Sequence, residues 1–407
     1  MKILYFHQHF STPNGSTGIR SYVMAKALIN QNHQVTMVCG SFGQGNTGLT
    51  HPFKKGFRRG FVEGIEVIEF EIPYSNSMSF LNRIFVFLNF ALKSIRLVFT
   101  ENYDVVFATS TPLTISIPAI FSKWFRRKPF IFEVRDLWPE LPKAMKVINN
   151  PIILKLMSYL EWISYHSADR LIGLSPGITK GIQNRGINPD KIASIPNGCD
   201  INIFKNCQYK WRPNQVQDTD FLAIYTGTHG MANGLTAVIE VAKVLKARKR
   251  NDIKFVLVGD GMQKPQLQAM AKELELDNII FHNPVNKEKL AGLMSSANLG
   301  LQILSNIPAF YYGTSPNKFF DYISAGLPVL NNYPGWLADL ILDKQCGFVV
   351  SPENTKEFAD AIEFAANNSD ELQKMGLQSQ QLAHEKFNRE DLANHFVRWV
   401  TEGIRND

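Results

Sequence analysis

Short apolar runs alternate with amphipathic stretches along the whole chain. In the first half the runs at 2–6, 34–38, 65–70, 104–108, 130–134, 170–174 and 191–195 read as strands. In the second half those at 221–226, 253–258, 278–282, 299–304 and 347–350 do. Helix-length patterns lie between most of them, such as Ile19, Val23, Ala27 and Leu28 at spacings of three and four. Strand and helix in alternation predict an α/β fold of parallel sheets with helices on both faces. No repeat of fixed period occurs. Residues 205–220 are polar and aperiodic between the strand ending at Ile195 and the one opening at Phe221, which reads as a linker. The expectation is a doubly wound domain over 1–205 and a second over 206–387, with a C-terminal helix at about 388–407 packing back on the first. Such sheets bind ligands at the carboxyl ends of their strands, so a cleft between the two is the expected site.

Composition narrows this picture. Of 407 residues, 45% are apolar and 19% charged, which is neither a disordered nor a fibrous profile. The net charge of +7 is uneven: residues 1–205 hold 23 basic and 13 acidic side chains, residues 206–407 hold 20 and 23. Cys39, Cys199, Cys207 and Cys346 form no CxxC pair, so they read as small core residues in a reducing cytosol, with no disulfide framework or zinc site. The chain opens on a strand and lacks a signal-peptide h-region. Its most apolar long stretch, Phe80–Phe99, is broken by Arg83, Lys93 and Arg96, so a soluble or membrane-surface protein is expected.

Several stretches can carry chemistry. The loop after the first strand, His7-Gln8-His9 through Gly15, Gly18 and Arg20, feeds a helix and reads as a phosphate-binding turn or as an ordinary flexible connection. It lacks the dinucleotide spacing GxGxxG. Gly227-Thr228-His229-Gly230, followed by Gly234, is a richer loop at the same place in the second half, and Gly259-Asp260-Gly261 ends the next strand. Ser315-Pro316-Asn317-Lys318 then starts a helix that Gly326 stops, with Ser315 as its expected cap. Lys318 and Asp321 share one helical surface, as phosphate and ribose ligands or as a weak surface ion pair. Glu133, Arg135, Asp136 and Glu140 cluster after a buried strand, which is costly unless the charges are paired or functional. Asp218-Thr219-Asp220 has a DxD pattern but precedes its strand, so it reads as solvated linker. Two basic-aromatic patches stand out: 53–61 with Lys54, Lys55, Arg58 and Arg59, and 123–128 with Arg126, Arg127 and Lys128. With Phe80–Phe99 they fit an anionic bilayer, and by themselves nucleic acid or plain solvated surface; no nucleic-acid-binding motif supports the second.

Ile195-Pro196-Asn197-Gly198-Cys199-Asp200 with Phe204 resembles a segment of the retaining glycosyltransferases of family 4. Gly227 to Leu235 falls where that family has its second glycine loop, and 315–329 falls on its donor-binding helix. Arg135-Asp136-Leu137-Trp138-Pro139 is similar to the branch that builds bacterial O-antigen and capsule repeats, including N-acetylfucosamine transferases. The resemblance spans nearly the whole chain. It implies a GT-B fold, two Rossmann-like domains facing each other across a cleft, and a hexosyltransferase-type enzyme at the inner face of the cytoplasmic membrane. It implies a UDP-sugar as substrate, a lipid-linked saccharide acceptor, and no essential metal or cofactor. The implied donor site is Gly227, Thr228, His229, Gly230, Val285, Ser315, Pro316, Asn317, Lys318 and Asp321. The implied acceptor and phosphate loop is Gly15, Gly18 and Arg20, and the implied catalytic group is Asp136, Arg135 and Glu133. This chain departs from the family pattern at several positions. The first Glu of the donor motif falls on Gly313 and the second on Asp321, the diphosphate-binding Arg and Lys fall on Thr228 and Asn233, and the acceptor-domain His falls on Arg135. Lys318 and Arg20 are then left to supply the positive field. A UDP-sugar 2-epimerase of the same fold and a non-catalytic nucleotide-sugar binder are the competing readings.

Overall fold

The first strand, β1 (Lys2–Phe6), is buried from Ile3 onward and pairs in parallel with β2 (Gln34–Phe42) on one side and β5 (Val105–Thr109) on the other. The computed structural model describes residues 1–15, 17–43, 45–75, 78–205 and 209–402, with the side chains of Phe80 and Lys205 excepted. Ser16 of the first loop, Cys207 and 403–407, where the expected C-terminal helix was to end, therefore lie outside the described residues.

The first sheet also contains β3 (Phe57–Val62), β4 (Ile65–Tyr74), β6 (Phe130–Val134), β7 (Arg170–Gly173) and β8 (Ile192–Ser194), in the order β3-β4-β2-β1-β5-β6-β7-β8. β5 and β6 are buried at every residue, because helices cover both faces of a parallel sheet. β3 departs from the expectation, which had only a basic surface patch there. It pairs antiparallel with β4 through a two-residue turn in which Glu63 and Gly64 both take positive φ, 49° and 88°. On this edge Arg58 lies directly across from Glu69, and Arg59 pairs with Glu66 and Glu101.

The second sheet, all parallel, runs β11 (Ile279–His282), β10 (Ile253–Val258), β9 (Phe221–Thr226), β12 (Leu299–Gln302), β13 (Val329–Asn331) and β14 (Gly347–Val349). The chain divides into two compact units. The first is Met1–Pro196 with Gly313–Ser315 and the chain from Glu390 onward; the second is Asn197–Tyr312 with Pro316–Arg389. The described part of the expected linker is not free. Trp211 N–H donates to Gly292 O at 3.0 Å, and the Arg212 guanidinium donates to the carbonyls of Gln217, Asp220 and Ser296. Tyr209 packs so closely on Gly292 that a Cβ there would lie 2.6 Å from its ring. These contacts build 209–220 into the second unit.

The last helix, Arg389–Glu402, carries Phe396, Val397 and Val400 into the core of the first unit, and Phe396 meets Phe107 of β5 edge-on at 5.1 Å. Phe396→Ala is expected to cost about 3–5 kcal/mol, as for large-to-small changes in a closed core. Denaturant titration should show a lower midpoint for the first unit.

Candidate functional site

In the first unit the strand order reverses beside β1, with β2 and β4 on one side and β5 and β6 on the other. Open α/β sheets place ligands at the carboxyl ends of such strands. Glu133, one residue before the end of β6, is fully buried there. Its Oε2 accepts from Arg20 Nε at 3.0 Å and Nη2 at 2.8 Å, while Oε1 accepts from Thr109 Oγ1 at 2.7 Å and Arg135 Nε at 3.3 Å. Burial pushes the Glu133 carboxyl up, but Arg20, then Arg135 and the hydrogen bonds, outweigh it and hold the group down at about 2. Glu133 is thus an anchor, ionised at working pH, with no surface to offer a substrate among the described residues.

Arg20 is engaged in the same way. Besides Glu133 it donates to Pro196 O at 2.7 Å and Ile195 O at 2.8 Å, so its fork is spent inside the unit and adds little field for a phosphate. In the loop before it, Gly15 N–H closes a turn on Thr12 O at 3.1 Å and Gly18 is exposed. Arg135 and Asp136 keep solvent-facing surface. Arg135 also donates to Ser21 Oγ at 3.3 Å, and Asp136 Oδ2 accepts from Thr111 Oγ1 at 2.9 Å. Burial raises the Asp136 carboxyl against the pull of Thr111 and Arg135. A carboxylate and a guanidinium side by side at a strand end can orient a hydroxyl.

In the second unit the order reverses at β9, between β10 and β12. The loop Gly227–Gly230 leaves β9 with Gly227 and Thr228 exposed. Nothing larger than glycine fits beneath it: a Cβ at Gly259 would lie 1.8 Å from Gly227 O, and one at Gly261 2.5 Å from His229 O. The Gly259-Asp260-Gly261 turn therefore braces the loop by backbone contact. His229 is fully buried, neither ring nitrogen has a hydrogen-bond partner among the described residues, and burial, reinforced by Lys264, holds the ring down to about 4. It stays neutral at working pH.

The helix Asn317–Ser324 starts with Pro316 as N-cap and no capping side chain, so Ser315 does not cap it as expected. Lys318 extends over the glycine loop. Its Nζ lies 3.2 Å from Tyr225 Oη, 3.3 Å from Asn233 Oδ1 and 4.5 Å from the Tyr225 ring centroid. A Cβ at Gly227 would lie 3.1 Å from Lys318 Cε. Burial pushes the Lys318 amine down to about 7. Asp321 is less available than expected, since Lys287 Nζ lies 3.6 Å from it and also 2.5 Å from Asp200, which Arg389 holds at 2.6 Å. Burial raises the Asp321 carboxyl against that pull. Asn197-Gly198-Cys199-Asp200 acts as a tie here: Cys199 N–H donates to Phe387 O at 2.7 Å, and Arg389 Nη2 to Gly198 O at 2.6 Å. Val285 sits half-buried in the loop after β11. An exposed glycine loop, a helix N-terminus and a single amine suit a polyanion such as a diphosphate. Sequence reading missed Tyr225 and Asn233 as the partners of Lys318, and Tyr322, whose Oη accepts from Thr226 N–H at 2.9 Å and fixes the end of β9.

Residues 18–203 match the model of Glycosyltransferase Family 4, and residues 209–382 that of Glycosyl transferases group 1. The chain has the two domains of a group 1/family 4 glycosyltransferase. The chain is 21% identical over 259 residues to the O-antigen chain mannosyltransferase C of Escherichia coli, a match covering 63% of this chain and 66% of that relative's length. Among solved structures, the sucrose-phosphate synthase of Thermosynechococcus elongatus superposes with a TM-score of 0.76 at 15% identity, covering 100% of both chains. Anabaena HepE in complex with UDP-glucose does so at 0.68 and 14%, covering 99% of this chain and 100% of that one. Together with the two sheets these matches give this glycosyltransferase chain the GT-B fold.

Arg20→Ala would leave the buried Glu133 without its bidentate partner and with Arg135, at 3.3 Å, as its remaining cation among the described residues, with an expected loss of about 3 kcal/mol in the first unit by chemical denaturation. The contribution of Glu133 is present above its unfolded value of about 4.3 and is lost as pH falls through the folded value. Stability should therefore drop between about pH 5 and pH 2, and Glu133→Gln should flatten that part of the acid-denaturation curve.

Proposed function

We propose that the protein moves a sugar, an N-acetylated amino or deoxyamino hexose, from a UDP-sugar to a polyprenyl-diphosphate-linked saccharide, with retention, in the synthesis of bacterial O-antigen or capsule. The placement of Lys318 over the open Gly227 loop carries this reading. A UDP-sugar complex of the same fold and the O-antigen relative support it. The bond from the sugar C1 to the β-phosphate oxygen breaks as a bond from C1 to the acceptor oxygen forms on the same face. The acceptor proton passes to the leaving phosphate oxygen. Charge builds on that diphosphate, where Lys318 and the helix N-terminus stabilise it. Asp136 and Arg135 orient the acceptor hydroxyl. In this reading the UDP-sugar is a substrate, and the transfer draws on no metal or separate cofactor.

The same proposal places the protein on the inner face of the cytoplasmic membrane, through Phe80–Phe99 and the 123–128 patch more than through the 53–61 patch. Arg58 and Arg59 are matched by carboxylates, and Arg126 donates to the carbonyls of Val98 and Phe99; Lys54, Lys55 and Arg127 stay exposed, and Lys128 half so. The helix Phe80–Thr100 exposes Leu81 (75%), Phe85 (70%), Leu88, Leu92 and Phe99 along one stripe. Beside it the helix Ser116–Arg126 exposes Trp124 and Phe125, and next to that the helix Pro151–Ser167 exposes Ile152, Leu156 and Tyr159. No Asp or Glu occurs within 80–100 or 116–128. Apolar helix faces with cations and no carboxylate within 80–100 and 116–128 fit an anionic bilayer surface. No helix among the described residues is long and apolar enough to cross a membrane.

The deciding experiment screens UDP-sugars against a polyprenyl-diphosphate-sugar acceptor, with product linkage read by NMR. Turnover of a UDP-sugar without acceptor would select the epimerase, and binding without transfer would select a sensor. Lys318→Ala should weaken donor affinity about 10- to 100-fold, the worth of one charge-assisted contact. With a neutral to half-charged amine in the empty site, binding of a UDP-sugar at pH 8 should take up close to one proton, and near pH 5.5 almost none. Calorimetry in buffers of different ionisation enthalpy reads this, and Lys318→Met should abolish it. Replacing Leu81, Phe85 and Leu92 by Ser should lower binding to phosphatidylglycerol vesicles at least about tenfold, since each buried side chain is worth ~1.5 kcal/mol or more. Donor affinity should not change.

A further inference from the structure

A cavity of about 410 Å³ opens in the first unit beside β1, β2 and β4, and nothing in the donor or catalytic groups uses it. Phe10 follows β1, Phe42 ends β2 and Tyr74 ends β4, so it lies at the carboxyl ends of these strands. Arg135 and Asp136 follow β6 in the same sheet, on the other side of β1. His9 joins the two regions. Its ring lies 4.5 Å from Tyr74 and 5.2 Å from Phe42, and burial with the nearby Arg135 keeps it neutral, at about 4.

The lining decides the ligand. Phe10, Phe42, Phe53 and Tyr74 are aromatic walls, and Arg58 with Glu69 is the charged pair between them. That pair is closed on itself: Arg58 Nε and Nη2 each lie 2.8 Å from Glu69 Oε2, Nη1 donates to His51 O at 3.1 Å, and Thr47 Oγ1 donates to Glu69 at 2.5 Å. The Arg58 guanidinium also lies 4.5 Å from the Phe53 ring centroid, which fixes both. A cavity with balanced charge has no surplus field for a phosphate or a cation. It offers apolar faces with a few fixed polar groups, the usual make-up of a small-molecule site, and its volume falls in the usual range of roughly 300–1,000 Å³. A pyranose ring matches this: its C–H face lies on an aromatic ring while its hydroxyls reach the carboxylate, the guanidinium and Thr47.

We infer that this cavity is a subsite for a neutral pyranose ring of the acceptor saccharide. The inference rests on the transferase reading for the word acceptor, and on the cavity alone for the neutral sugar. It also reassigns Arg58, which the sequence placed on a membrane, to sugar recognition.

The test uses the full chain and saturation-transfer NMR with the methyl glycosides of glucose, galactose, mannose and their N-acetylated amino counterparts. At least one should give signal, strongest on the ring protons of one face, and Tyr74→Ala should weaken it about fivefold or more. Tyr74→Leu, which keeps most of the volume and loses the ring face, should weaken it comparably with an unchanged melting curve. Absence of signal from every glycoside, equal signals in the variants, or preference for glucuronate or glucose 6-phosphate would overturn the subsite. Once a transfer assay is established, the same variants should raise the acceptor KM with kcat and donor affinity unchanged; an unchanged acceptor KM overturns the subsite and leaves the transferase standing. Glycoside binding lost in Tyr74→Ala, in a protein that transfers nothing, keeps the subsite and removes the transferase.

Discussion

Glu133 is an ionised carboxylate without contact with solvent, and the first unit is organised around it. An isolated buried charge is too costly to keep, so it must be matched by cations of fixed geometry. Arg20 at the start of the first helix and Arg135 just past β6 are those cations, with the Thr109 hydroxyl from β5 as a further donor. Arg20 in turn reaches the carbonyls of Ile195 and Pro196. One anion thereby fixes the first helix, two central strands and the end of the segment that leads to the second unit. Arg135 and Asp136, the pair with surface to offer a substrate, inherit their positions from it.

The second unit solves the opposite problem. In the proposed function it would attract anions with few cations, using a strand-end loop of backbone, a helix start and one lysine. Glycines at 259 and 261 press the loop from below, and Tyr225, Asn233 and Lys318 meet above it. Asn233 accepts a hydrogen bond from Lys318.

Much of the fold was legible because central parallel strands are buried on both faces and read as unbroken apolar runs. β3 was not, since an edge strand with exposed Phe57, Arg59 and Phe61 looks like surface until its partner is known. The chemistry was legible where it is local: the glycine loop after β9 and the helix that brings Lys318. It failed where a partner is distant. Arg20 and Arg58 look the same in a sequence whether free or paired, and their carboxylates lie 113 and 11 residues away. Lys287 beside Asp321 was hidden for the same reason, as was the turn of Arg126 toward the carbonyls of another helix.

The return of the last helix to the first core has a consequence for the newborn chain. Phe107 leaves the ribosome nearly three hundred residues before Phe396, the ring it packs against. The second unit, complete by Arg389, has all its parts before the first does. The domain that is made first is thus completed after the second, and its core waits for the helix Arg389–Glu402 with an apolar face uncovered.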